Sequence, residues 1–121
     1  MNTLRLPWRP IALAALLALT TACGGVDQAA LRAEVGSAPV VLLSTAWCGY
    51  CRKLRGDLET WDVAFDEIDV ETSDEGQRGY DLVGGRGVPI LLIGDKVVHG
   101  YSPKRARELL GEAGIAAASV E

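Results

Sequence analysis

Two unbroken apolar runs, Val40-Val41-Leu42-Leu43 and Ile90-Leu91-Leu92-Ile93, stand out from Pro39 onward, where the segments between and after them carry their hydrophobic residues at spaced positions. Runs this short and uniformly apolar suit strands buried on both sides, so the first is expected to be central in a sheet and the second, opening at Pro89, another buried strand. Between them, Leu54, Leu58 and Trp61 recur at i, i+4 and i+7, which lines one face of a helix over about residues 51–60. Arg52, Lys53, Arg55 and Asp57 then face water. Residues 64–70 alternate, with Phe65, Ile68 and Val70 as the apolar members of a strand. Thr72-Ser73-Asp74-Glu75 is a helix start, and the helix runs to about Leu82 or Val83 before Gly84-Gly85-Arg86-Gly87 breaks it. Gly94-Asp95-Lys96 turns the chain into a short strand, Val97-Val98-His99. Ser102 is the expected N-cap and Pro103 the first residue of a last helix whose apolar face is Ala106, Leu109, Leu110 and Ala113. The order is β-α-β-α-β-β-α, an α/β domain, with no internal repeat.

The start of the chain has a different pattern. Arg5 and Arg9 precede nine apolar residues, Ile11 to Leu19, and then Thr20-Thr21-Ala22. This is the layout of an export signal, and its apolar run falls short of the ~20 residues a bilayer crossing needs. A small residue directly before Cys23 resembles the lipobox of bacterial lipoproteins, although Thr20 stands where such signals usually carry Leu. That resemblance implies cleavage after Ala22 and lipidation of Cys23, with two or more acyl chains giving stable attachment. The expected organisation is a signal peptide over residues 1–22, a lipidated N-terminus and linker over 23–38, one domain over 39–115, and a frayed tail over 116–121. Within the linker Gly24-Gly25 reads as flexible and Gln28 to Val35 as weakly helical. Removing Arg5 and Arg9 with the signal takes the net charge from −4 to −6. An acidic surface argues against nucleic acid and against charge-driven adhesion to anionic lipid.

Three cysteines in an exported chain leave one over unless it is used elsewhere, and lipidation of Cys23 leaves the pair Cys48 and Cys51. These two thiols sit three residues apart where the first strand gives way to the first helix. A loop this small removes little unfolded-state entropy, which makes a static staple a poor reason for the pair. At a helix start, unpaired N–H groups and the macrodipole favour the thiolate, so Cys48 is expected to titrate below the ~8.5 of a free thiol. With two cysteines and His99, the only histidine, a four-ligand zinc site cannot be assembled from one chain without drawing on carboxylates. Gly84-Gly85-Arg86-Gly87 lacks the trailing Lys-Ser/Thr of a phosphate loop and reads as a turn. Glu67, Asp69, Glu71, Asp74 and Glu75 read as a solvated acidic face, with an acidic rim that selects partners as the lesser reading.

Over roughly residues 39–113 the chain resembles the glutaredoxin branch of the thioredoxin-like superfamily. The resemblance rests on Cys48-Gly49-Tyr50-Cys51 after the first strand, Val88-Pro89 before the third, and the Gly94-Asp95-Lys96 hairpin leading to Gly100-Tyr101. It implies a thioredoxin-like fold with a four-stranded mixed sheet flanked by helices. It also implies that Cys48 is the exposed nucleophile, that Cys51 resolves the mixed disulfide, and that Val88–Pro89 is a cis bond placing the Val88 backbone beside Cys48. Trp47, Gly49 and Tyr50 join Val88 and Pro89 as expected substrate contacts, with plain packing the other reading for Trp47. The Cys-Gly-Tyr-Cys motif is similar to that of periplasmic disulfide isomerases. Glutathione-using members usually carry Lys where Thr45 stands and Gly-Gly followed by Asp where Gly100-Tyr101-Ser102-Pro103 stands. The latter form resembles proteins that draw electrons from a thioredoxin system, which speaks against glutathione as cosubstrate. Thioredoxins also bury an acid where Leu42 lies, so no proton acceptor for Cys51 is evident.

The functional expectation is a monomeric, membrane-anchored, exported oxidoreductase that exchanges disulfides with protein substrates and a redox partner protein, without a cofactor and without nucleic acid. Reduction or isomerisation is the expected direction and oxidation the second. The rival is a metal or iron–sulfur carrier using the same two cysteines as ligands.

Overall fold

The computed structural model describes residues 25–115. The signal segment, the Cys23 lipidation position and the tail over 116–121 lie outside the described residues. The elements are α1 (Gln28–Val35), β1 (Val40–Ser44), α2 (Gly49–Thr60), β2 (Asp66–Asp69), α3 (Asp74–Leu82), β3 (Ile90–Ile93), β4 (Lys96–His99) and α4 (Pro103–Glu112).

The four strands form one mixed sheet in the order β2-β1-β3-β4. β1 runs parallel to β2, with Val41 opposite Asp66, and antiparallel to β3, with Val40 opposite Ile93. The β3–β4 hairpin turns at Gly94, whose φ of 58° is a left-handed conformation that favours glycine. β1 and β3 are the inner strands and are buried along their whole length. Alternation of side chains then splits each apolar run between two cores. Val40, Leu42, Leu91 and Ile93 meet Leu54 and Leu58 of α2 and Leu109 and Leu110 of α4. Val41, Leu43, Ile90 and Leu92 meet Leu31 and Val35 of α1 together with Val83. Each such side chain contributes about 1.5–3 kcal/mol on burial, which explains why both runs are apolar without a break.

Several expectations change at the edges. Residues 28–35, read as a weak helix within a linker, are packed against the domain: Leu31 and Val35 are buried. Gly79 of α3 permits this approach, because a Cβ there would come 2.7 Å from Val35 Cγ1. Arg78 pairs with Glu34 at 2.8 Å, Arg32 donates to the Ala38 carbonyl at 2.7 Å, and Gln28 donates to the Asp95 carbonyl at 3.3 Å. A helical rise of ~1.5 Å per residue shortens this stretch to less than half its extended reach. β2 is shorter than residues 64–70 and lies at the sheet edge. Phe65 packs toward the α2/α4 core and Ile68 toward the α1/α3 core. Val63, which no periodicity picked out, is buried just after Asp62 turns the chain with φ 57°. Arg55 and Asp57 are half-buried and engaged rather than facing free water.

Helix caps separate two superficially equal serines. Ser73 accepts the Gly76 N–H at 2.8 Å, whereas Ser102 makes no side-chain cap bond and Pro103 alone marks the start of α4. Ala113, expected on the apolar face, is the exposed C-cap residue of α4. Ser73→Ala should therefore lower stability by about 1 kcal/mol and Ser102→Ala by far less. Urea unfolding of the two variants checks this, and equal losses would contradict the capping assignment.

Candidate functional site

The paired cysteines lie where β1, having ended at Ser44, turns into α2. Cys48 is the N-cap residue of α2, and its sulfur accepts the Cys51 N–H at 3.1 Å while its carbonyl accepts the Arg52 N–H at 3.3 Å. The first turn of α2 thus aims one backbone donor, the Cys51 N–H, at the Cys48 sulfur, which is a local arrangement that favours a thiolate. Cys48 and Cys51 are joined as a disulfide with Cα atoms 5.2 Å apart. The exposed nucleophile implied by the resemblance is far less open than that: Cys48 is 5% exposed and Cys51 not at all. Of the two, only Cys48 reaches the surface. Its sulfur is shielded by the Val88–Pro89 turn, whose peptide bond is cis and whose Val88 carbonyl oxygen lies 3.7 Å from Cys48 Sγ. A carbonyl there favours the protonated thiol. The N–H group opposes it from closer range.

Two aromatic walls flank the disulfide. Trp47 is 67% exposed, so it is not a packing residue, and its indole N–H donates to Glu71 Oε1 at 2.7 Å. The acidic run is likewise not merely solvated. Asp69 accepts the N–H groups of Glu71 and Thr72 to shape the turn into α3, and Glu67 accepts from Arg55 and Ser44. On the other side, Tyr50 is 60% exposed and stacks on Tyr101 with ring centroids 5.5 Å apart. Lys53 Nζ lies 5.8 Å and 5.5 Å from the two ring centres. Gly49 opens α2 beneath Tyr50. Sequence reasoning found Trp47 and Tyr50 but missed Glu71, Lys53 and Asp57. Only the spacing of Tyr50 and Lys53, one helical turn apart, hinted at this contact.

Tyr101 donates its hydroxyl to Asp57 Oδ2 at 2.6 Å. That bond to a carboxylate, helped by burial and by the Asp57 charge, raises the phenol above its ordinary value of 10.0. A raised folded-state value means the stabilisation is complete below the unfolded phenol's titration and disappears as pH rises through the folded one. The melting-temperature gap between wild type and Tyr101→Phe should accordingly be steady near neutrality and close above pH ~10. A gap that persisted through strongly alkaline pH would contradict the bond's role.

Beneath the cysteines, Leu42 is completely buried in an all-apolar cluster with Leu54, Leu58 and Leu91. Thr45 is also buried, and its hydroxyl has no hydrogen-bond partner among the described residues. His99 is exposed, and among the described residues no group of three or more His, Cys, Asp or Glu side chains is placed to hold a metal ion. Nor is any helix among them long and apolar enough to cross a membrane.

A close cysteine pair at the start of a helix, on a four-stranded mixed sheet flanked by helices, defines a thiol redox protein of the thioredoxin-like fold. The glutaredoxin family model matches residues 40–98. A Mycobacterium tuberculosis protein named as a glutaredoxin is 33% identical over 61 residues, covering 49% of this chain and 73% of that one. The buckwheat glutaredoxin in complex with glutathione superimposes with a TM-score of 0.57 at 26% identity, covering 74% of this chain and 94% of the other. The glutaredoxin-like protein NrdH-redoxin from Escherichia coli gives a TM-score of 0.54 at 21% identity, covering 58% and 92%, and shares the fold. The chain belongs to the glutaredoxin family.

Proposed function

We propose that this protein is an exported, lipid-anchored thiol–disulfide oxidoreductase that exchanges disulfides with protein partners through Cys48 and Cys51. The observation that carries the reading is Cys48 as N-cap of α2, slightly exposed beside a fully buried Cys51, with its sulfur facing the Cys51 N–H. In the reducing direction, the Cys48 thiolate attacks one sulfur of a partner's disulfide. A bond forms between Cys48 and that sulfur, the partner's S–S bond breaks, and its second sulfur leaves as a thiolate that takes a proton from water. Cys51, deprotonated, then attacks Cys48 Sγ and frees the partner's first sulfur. Two electrons have passed to the partner, and the Cys48–Cys51 bridge is reopened by a dithiol redox partner.

Protein disulfides are favoured over glutathione because no basic side chain lines the groove beside Cys48, where Thr45, Trp47, Gln77 and Val88 meet. A tripeptide carrying two carboxylates finds no cation there. Trp47 and Tyr50, both largely exposed, offer flat apolar area to a polypeptide instead. Export and anchoring rest on the basic, apolar and small-residue succession ending at Ala22-Cys23.

Trapping tests the whole reading. Cys51→Ser, produced with its full leader, should accumulate mixed disulfides between Cys48 and exported proteins, released by dithiothreitol. The protein should partition with membranes, incorporate labelled fatty acid, and lose both properties in Cys23→Ala. Capture of nothing, under conditions where the wild type cycles, would sink the exchange reading; a soluble, unlabelled wild type would sink the anchor.

A further inference from the structure

Beside the disulfide lies a groove of about 260 Å³ whose lining includes Thr45, Trp47, Val70, Glu71, Gln77 and Val88. This volume holds one long side chain and part of a backbone. Three features of it are left unused by the exchange chemistry. The buried Thr45 hydroxyl has no partner among the described residues. Glu71 binds the Trp47 indole through Oε1 alone, which leaves Oε2 without a hydrogen bond among those residues. No lining residue is basic. The nearby Arg86 is exposed on the adjoining turn and does not line the groove.

We propose that this groove is a specificity subsite for a Lys or Arg residue flanking the half-cystine of the partner polypeptide. The inference rests on the dithiol reading above and names the substrate class within it. A long basic side chain matches the groove in both of its chemistries. Its methylene stem lies along Trp47 and Val70, as amphipathic side chains do on apolar surface. Its cationic head reaches Glu71, with the Gln77 side-chain carbonyl as a further acceptor. An acidic residue in the same position would face Glu71 at close range, with Asp69 holding the neighbouring turn. The subsite therefore discriminates by repulsion as well as attraction.

The test uses pairs of short synthetic peptides joined by one disulfide, with Lys, Ala or Glu next to the cysteine. Pre-reduced protein is mixed with each, and every rate is divided by that of dithiothreitol on the same peptide, which removes the intrinsic effect of charge on the disulfide. At low salt the Lys peptide should be opened about tenfold faster than the Glu peptide, and the ratio should narrow in 1 M salt. Glu71→Gln retains an acceptor for the Trp47 indole and should bring the ratio to within about twofold, while Glu71→Lys should invert it. A ratio unaltered in both variants, or no preference in the wild type, overturns the proposal. A binding arm separates this from failure of the exchange reading. In the Cys48→Ser/Cys51→Ser protein, the Lys peptide should shift the Trp47 indole and the Thr45 and Gln77 amide resonances more than the Glu peptide does. If no peptide is opened but this preference is present, the exchange reading fails and the subsite stands. If peptides are opened and this preference is absent, the subsite fails.

Discussion

Cys48→Ser should abolish catalysed reduction of insulin, by on the order of a thousandfold or more, while leaving the fold intact. A serine hydroxyl can still cap α2, accepting the Cys51 N–H that the sulfur now accepts at 3.1 Å. What it cannot supply is an anionic, polarisable nucleophile near neutral pH. The helix start that favours a thiolate does too little for an alcohol. Circular dichroism and melting temperature therefore separate loss of chemistry from loss of structure. Cys51→Ser should behave differently, losing multiple turnover while keeping one round of covalent capture, because Cys48 remains and nothing resolves the mixed disulfide. Alkylation of reduced Cys48 against pH tests the cause directly. Half-maximal reactivity is expected below the ~8.5 of a free thiol. A midpoint at or above that value would show that the Val88 carbonyl outweighs the helix N–H groups. Equal activity in wild type and Cys48→Ser would remove Cys48 from the mechanism altogether.

The second large effect concerns stability and sets two helical glycines against each other. Gly76 lies in the first turn of α3, where an added Cβ would fall 2.9 Å from Ile68 Cγ2 and 3.0 Å from the Asp69 carbonyl carbon. The obstructing atoms include backbone at the end of β2, which cannot swing aside as a side-chain tip could. Gly76→Ala should destabilise the domain by about 1–3 kcal/mol, the usual range for overpacking a tight contact. For a domain of this size that corresponds to a fall in melting temperature on the order of 10 °C. At Gly56, within α2, a Cβ would meet nothing within 4 Å beyond its chain neighbours and its own helix backbone. Gly56→Ala should stabilise by about 0.5–1 kcal/mol, because alanine loses less conformational freedom in a helix. Paired denaturant melts give the comparison. Two changes of the same sign would contradict the close approach of α3 to β2. The Asp69 turn that Gly76 touches also presents Glu71 to Trp47. Loosening by Gly76→Ala should consequently reach the active-site wall as well.

Particular elements show why some of this was readable in one dimension. The runs at 40–43 and 90–93 could be assigned because both inner strands are buried on two faces, which favours apolar residues on both sides; the one polar member, Ser44 at the end of β1, donates its hydroxyl to Glu67. The start of α3 was equally clear, since Ser73 meets its own cap partner three residues on. α1 was harder. Its helical spacing was visible, but that Leu31 and Val35 close the second core depends on Gly79, forty-four residues after Val35. Ser102 is the N-cap residue of α4 as expected, but with φ −141° and ψ 81° its hydroxyl makes no cap bond. The acidic run misled because charge alone cannot distinguish solvated carboxylates from Asp69 and Glu67, which accept bonds from backbone and from Arg55.

By itself the sequence determined the order of elements, the sheet's buried strands and the dithiol. Those depend on spacing within a few residues, on turn chemistry and on the reactivity of sulfur at a helix start. Only the tertiary structure decided how the dithiol is presented: the shielding of Cys48 by Val88, the Trp47–Glu71 wall and the Tyr50–Tyr101 stack held by Asp57. Each of these joins residues from different elements. The sheet register and helix packing bring them within a few ångströms, and no periodicity along the chain encodes that distance.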